Sequence, residues 1–194
     1  MTRKAWVRPW CPLVLFLAQS AFAGPPSPDM LSLACGGCHG TDGASAGPTV
    51  PAIAGQRKEA LLTAMRDFKN GTRPSTVMGR LATGYTDADF VTMADYFSRQ
   101  RQFRNDQVVN PDKATRGEQI ASEHCAKCHT DDGRTAFEEA GTPVLAGQWL
   151  RYLQFQADDY LSGSRPMIKH MGRHVKKLTA QDLENLAHFY AGVR

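Results

Sequence analysis

The sequence lacks any apolar run near the ~20 residues that cross a bilayer, any GxGxxG phosphate-binding fingerprint, and any alternating run long enough to build a sheet. These absences exclude a polytopic membrane protein, a nucleotide-binding fold of its own and a sheet-built domain. Collagen and coiled-coil patterns are missing too, while 42% hydrophobic residues are too many for a chain that stays disordered throughout. Charge of one sign is also scarce. Of 23 Lys+Arg against 19 Asp+Glu, three basic residues (Arg3, Lys4, Arg8) stand in Met1–Ala23 with no acid, so the remainder has 20 against 19. A nucleic-acid binder needs a retained basic excess and is excluded. Cysteine is sparse at five, and Cys11 belongs to the leading segment.

That leading segment has basic residues, the apolar run from Cys11 to Ala18, and the small-x-small end Ala21-Phe22-Ala23. It reads as a cleaved signal peptide (1–23), which places the remaining 171 residues in the periplasm as a soluble chain without a membrane span.

The four remaining cysteines fall into Cys35-Gly-Gly-Cys38-His39 and Cys125-Ala-Lys-Cys128-His129, offset by 90 positions. Self-similarity continues: Pro51-Ala-Ile-Ala-Gly-Gln56 matches Pro143-Val-Leu-Ala-Gly-Gln148, Gly71-Thr-Arg-Pro74 matches Gly163-Ser-Arg-Pro166, and Met78-Gly-Arg80 matches Met171-Gly-Arg173, at offsets of 92 to 93. One module is written twice, as 24–97 and 115–194, with a linker over 98–114. Each module reads as helical. Thr86/Asp89, Thr179/Asp182 and Thr115/Glu118 resemble capping boxes, and apolar stripes follow at helical spacing: Leu61, Met65, Phe68; Phe90, Met93, Ala94, Phe97; Leu150, Leu153, Ala157, Leu161; Leu183, Leu186, Ala187, Tyr190. Further helices lead into the cysteine motifs from about Pro28 and Thr115. The expected fold is all-α, two tandem small helical domains. Three short helices in about 80 residues make a thin core that needs something to close around.

The CxxCH pentad supplies that something. Two thiols three positions apart add to the two vinyl groups of one heme, and the next histidine lies under the iron. Zinc sites and structural disulfides compete, but disulfides leave His39 and His129 unexplained and export argues against an intracellular zinc ribbon. Two covalent hemes are therefore expected, one on Cys35 and Cys38, the other on Cys125 and Cys128. The repeat-matched Met78 and Met171 are the expected second axial ligands, from similar loops, with Met65 and Met93 as core residues. Met167, His170 and His174 crowd Met171, and the repeat frame decides for Met171. His170 and its basic neighbours read as a solvated face, and His124 and His188 as structural or exposed. An iron-bound histidine needs an acceptor for its other ring nitrogen, and the carbonyls of Pro51 and Pro143 stand at suitable loop positions. Arg80 and Arg173 stay open between propionate contacts and plain surface arginines. With both axial positions filled, no catalytic residue is expected and the chemistry is electron transfer.

The paired CxxCH, PxxAGQ, GxRP and MGR motifs resemble the diheme class I cytochromes c of the c-four group. Ser75-Thr-Val-Met-Gly-Arg80, Gly84-Tyr-Thr-Asp-Ala-Asp-Phe90, Leu145-Ala-Gly-Gln-Trp149 and Tyr152-Leu-Gln154 resemble the diheme cytochrome subunits of flavocytochrome c sulfide dehydrogenases. That resemblance implies a partner flavoprotein carrying FAD in a heterodimer, sulfide oxidised at its flavin, and a soluble cytochrome c or similar acceptor. It also assigns the ligand roles to Cys35, Cys38, His39 and Met78, and to Cys125, Cys128, His129 and Met171. A free diheme shuttle to a terminal oxidase stays open, as does a diheme peroxidase or thiosulfate dehydrogenase.

Overall fold

The computed structural model describes residues 27–136 and 141–194; the expected signal peptide lies outside them. Eight α-helices and no strand form among the described residues: α1 (Pro28–His39), α2 (Lys58–Lys69), α3 (Met78–Ala82), α4 (Asp87–Ser98), α5 (Pro111–His124), α6 (Leu150–Leu161), α7 (Lys169–Val175) and α8 (Ala180–Gly192).

Local chemistry sets most helix starts. Ser27 caps α1 by accepting from Met30 N at 3.2 Å, with Pro28 in the first turn, where its missing N–H costs nothing. The capping boxes of α4 and α8 are both closed: Thr86 and Thr179 hydroxyls accept from Asp89 and Asp182 N at 3.2 and 3.1 Å, and each carboxylate reaches back to its cap N–H at 2.8 Å. The Thr115/Glu118 box does not form. Asn110 caps α5 instead, accepting from Lys113 N at 3.0 Å with Pro111 next, and Thr115 Oγ1 donates to Pro111 O inside the helix at 3.0 Å. An Asn-Pro pair is the stronger start, since Asn is a good cap and proline already has helical φ. The helix therefore begins four residues before its expected start at Thr115, and the irregular connection is 99–110. It is pinned rather than loose: Gln107 bonds Gln148 O, Ala191 O and Leu150 N, and Phe103 packs on Trp149.

The loops expected to carry Met78 and Met171 contain short helices, α3 and α7. Ser75 Oγ accepts from Gly79 N at 2.7 Å and holds the first turn of α3.

Each module gathers its own core. In the first, buried Ala82, Phe90 and Met93 pack with Leu31, Cys35, Leu62, Met65, Phe68 and Tyr85. In the second, Ala121, Ala146, Leu183, Leu186, Phe189, Tyr190 and Val193 are buried, with Cys125, Leu153, Ala157 and Val175 against them. The crossing of α5 over α8 is close because of Gly117, where a Cβ would stand 2.1 Å from Asn185 O.

Candidate functional site

The first CxxCH is the last turn of α1, so helical geometry alone brings Cys35, Cys38 and His39 together. The second follows α5: Cys125 ends that helix, and His129 N donates to Cys125 O at 2.9 Å, which keeps the pentad in one helical turn. His39 is buried at 8% exposure and its Nδ1 lies 2.8 Å from Pro51 O; His129, half-buried, places Nδ1 3.2 Å from Pro143 O. A carbonyl only accepts, so the proton sits on Nδ1 and the Nε2 lone pair of each ring is left as a donor to a metal. Burial lowers both histidine pKa values, against the opposing hydrogen bond, and the rings are neutral at pH 7. Burial likewise pushes the Cys35 and Cys125 thiols up.

Met78 opens α3, and four residues on the fully buried Ala82 marks the inward face. Met171 stands in the same relation to Val175, which packs on the second core. Met78 and Met171 are half-buried, whereas His170 is exposed with its Nδ1 on Arg173 Nη2, so the two rivals at that point of α7 differ in burial. Met167 is half-buried and His174 exposed, its ring 6.1 Å from that of His124. His188 is structural: Nδ1 accepts from Asn110 N at 3.1 Å, and Nε2 meets Glu184. Arg80 is exposed, as is Arg173.

The residues present fit a covalent heme. None of the four cysteines is disulfide-bonded, and among the described residues no group of three or more His, Cys, Asp or Glu side chains could hold a bare metal ion. That donor set does not suit a zinc ribbon. Cys35 packs against the first core, as do Leu62, Met65 and Phe68, and Cys125 against the second, as do Leu153 and Ala157; these five apolar side chains are only partly covered, and neither α2 nor α6 has a buried residue. Tyr190 Oη, next to Cys125, is buried without a hydrogen-bond partner among the described residues, and burial and that thiol push its pKa upward.

Two further residue pairs make contacts that bear on the site. Gln56 and Gln148, the last residues of the repeated PxxAGQ motif, reach across the module interface. Gln148 accepts from Ala52 N at 3.0 Å and donates to Ala52 O at 2.8 Å; Gln56 accepts from Val144 N at 3.0 Å and donates to Val144 O at 2.8 Å. Arg73 and Arg165 of the GxRP motif lie over Phe68 and Tyr160 at 4.6 and 4.7 Å and both bond Gln156 Oε1. The one signal for either pair was the recurrence of a polar residue in both copies of a motif.

The cytochrome c family pattern matches residues 114–192. The chain is 33% identical over 170 residues to cytochrome c4 of Pseudomonas aeruginosa, spanning 82% of this chain and 83% of that one. It is 54% identical over 69 residues to the cytochrome subunit of sulfide dehydrogenase of Chlorobaculum tepidum, which covers 36% of this chain and 62% of that protein. Similarity at 26% over 161 residues extends to a thiosulfate dehydrogenase electron acceptor of Thiomonas intermedia, over 78% of this chain and 72% of that one. Among solved structures, reduced cytochrome c4 from Pseudomonas stutzeri superposes with a TM-score of 0.76 at 29% identity, covering 86% of this chain and 97% of that chain.

Proposed function

The chain belongs to the cytochrome c4 family of diheme class I cytochromes c, electron-transfer proteins that carry covalent heme c, and from that premise we propose that it is the cytochrome subunit of a periplasmic sulfide dehydrogenase. In this reading an FAD flavoprotein oxidises sulfide, and this chain takes the electrons and passes them to a soluble acceptor. The observation that carries it is the 54% identity, over 69 residues, to a sulfide dehydrogenase cytochrome subunit. Heme supplies one-electron chemistry when bound. The chain's own residues do the rest: Cys35 and Cys38, and Cys125 and Cys128, would hold the hemes as thioether tethers, and His39 and His129 would offer Nε2, because Pro51 and Pro143 hold Nδ1–H. Met78 and Met171 would supply a sulfur ligand to each heme, which would favour the reduced iron relative to a second histidine.

The test is purification from the native source. An FAD protein should co-purify, and sulfide should reduce the hemes of the complex; a lone cytochrome indifferent to sulfide would refute this reading. The similarity to a thiosulfate dehydrogenase electron acceptor favours a second reading, reduction by a thiosulfate-oxidising partner. It is distinguished by adding thiosulfate in place of sulfide.

A further inference from the structure

We propose that Gln56 and Gln148 are positioning residues acting crosswise: each glutamine sets the donor strength of the other module's axial histidine through a single peptide group. Pro51 C=O and Ala52 N–H belong to one peptide unit. The oxygen takes the His39 Nδ1–H at 2.8 Å, while the N–H donates to Gln148 Oε1 at 3.0 Å. The Pro143–Val144 unit repeats the arrangement, with His129 Nδ1–H on the oxygen at 3.2 Å and Gln56 Oε1 on the N–H at 3.0 Å. Each histidine is thus two hydrogen bonds from a side chain 88 to 96 residues away from its partner peptide. Gln148 is only 6% exposed and Ala52 2%, so solvent does not compete for that pair; in the other, Val144 is 6% exposed and Gln56 is half-buried.

The sign follows from polarisation. Donation from the peptide N–H moves electron density onto the carbonyl oxygen, which then pulls harder on the imidazole proton, and bonds in series strengthen one another by about 10–30%. A histidine whose N–H is held more strongly is a more basic ligand and stabilises ferric iron. Removing Gln148 should therefore raise the potential of the N-terminal site, although Gln148 lies in the C-terminal module. Removing Gln56 should raise that of the C-terminal site.

This inference rests on the reading of His39 and His129 as heme ligands, and a heme count below two per chain, taken first, would refute that reading instead. The test is a spectroelectrochemical titration of the holoprotein. Gln148→Leu and Gln56→Leu should each raise one potential by about threefold in the ferric/ferrous equilibrium, about 28 mV at 59 mV per tenfold, and should move different sites. In a Met171→Ala background, which displaces the C-terminal site to lower potential, Gln148→Leu should move the upper of the two values. Gln148→Glu keeps an acceptor oxygen toward Ala52 N–H in either protonation state, so its potential should stay at or below that of the parent. A shift confined to the glutamine's own module, an equal shift of both sites, a rise with Gln148→Glu, or lost thermal stability with both potentials unmoved would overturn the proposal.

Discussion

Gly117→Ala tests the α5–α8 crossing that fixes the second heme motif. A Cβ at this position would meet Asn185 O at 2.1 Å, Asn185 C at 2.6 Å and Phe189 Cβ at 2.7 Å. Ordinary contact begins at 3.4 Å, so the helices must part by about 1 Å. Two of the three obstacles are backbone atoms of α8, which cannot swing aside as a side-chain tip would. On its own helix the substitution is favourable by about 1 kcal/mol, the difference between glycine and alanine in a helix interior. Overpacking a dense core costs about 1–3 kcal/mol, and the upper end applies where backbone blocks relaxation. The net expectation is a loss of about 2 kcal/mol, or about 4–8 °C in melting temperature at 2–4 °C per kcal/mol for a chain of this size. Thermal unfolding of the holoprotein, followed by circular dichroism, reads this directly. Gln119→Ala, an exposed change on the same helix, should stay within about 0.5 kcal/mol of the parent. A Gly117→Ala protein as stable as the parent, or more so, would refute the reasoning, because helix propensity would then have outweighed a contact that cannot exist.

Thr179→Ala opens the α8 capping box and should cost about 1 kcal/mol in urea unfolding. The same box has a pH signature: the backbone and hydroxyl of Thr179 hold the Asp182 carboxyl below its ordinary value of 3.8, so its stabilisation is complete above that value and is lost as pH falls through the lower folded value. Stability measured from pH 5 down to pH 2.5 should therefore fall less steeply in Thr179→Ala than in the parent. Met171→Ala should abolish the weak thioether-to-iron band of one heme and lower that site's potential, whereas His170→Ala should change neither. Tyr190→Phe removes a buried hydroxyl with no partner among the described residues, at the position where the first module has Phe97, and should hold or raise the melting temperature.

What could be read from the sequence is what local chemistry determines. The Thr86/Asp89 and Thr179/Asp182 boxes close within four residues, so hydroxyl and carboxylate spacing was sufficient. The same logic misplaced the start of α5, because Thr115 and Glu118 imitate a box while Asn110 and Pro111, just upstream, begin the helix more strongly. The five- and seven-residue helices α3 and α7 are too short to show a period, and only the recurrence of Met-Gly-Arg marked them. The histidine–carbonyl contacts span 12 and 14 residues within one module, a reach that loop chemistry can suggest. The glutamine contacts span 88 and 96 residues and depend on how two folded modules meet, which periodicity and capping do not encode.

The two modules meet as a self-complementary pair would, although they belong to one chain. Gln56 on Val144 mirrors Gln148 on Ala52; Arg57 donates to Ala136 O at 3.0 Å where Trp149, its counterpart in the repeat, donates to Ser45 O at 3.1 Å. Such reciprocity is the mark of a two-fold interface, and gene duplication would leave it in place when two copies became one polypeptide. Divergence then shows in what surrounds each histidine. His39 is more buried and holds the shorter carbonyl contact, while His129 has the Tyr190 ring at 6.3 Å and that ring's unpartnered hydroxyl near its cysteine. Burial and hydrogen bonding around a ligand set a heme potential, so with His39 and His129 as the proposed ligands this asymmetry would make the two sites inequivalent without any change of ligand type.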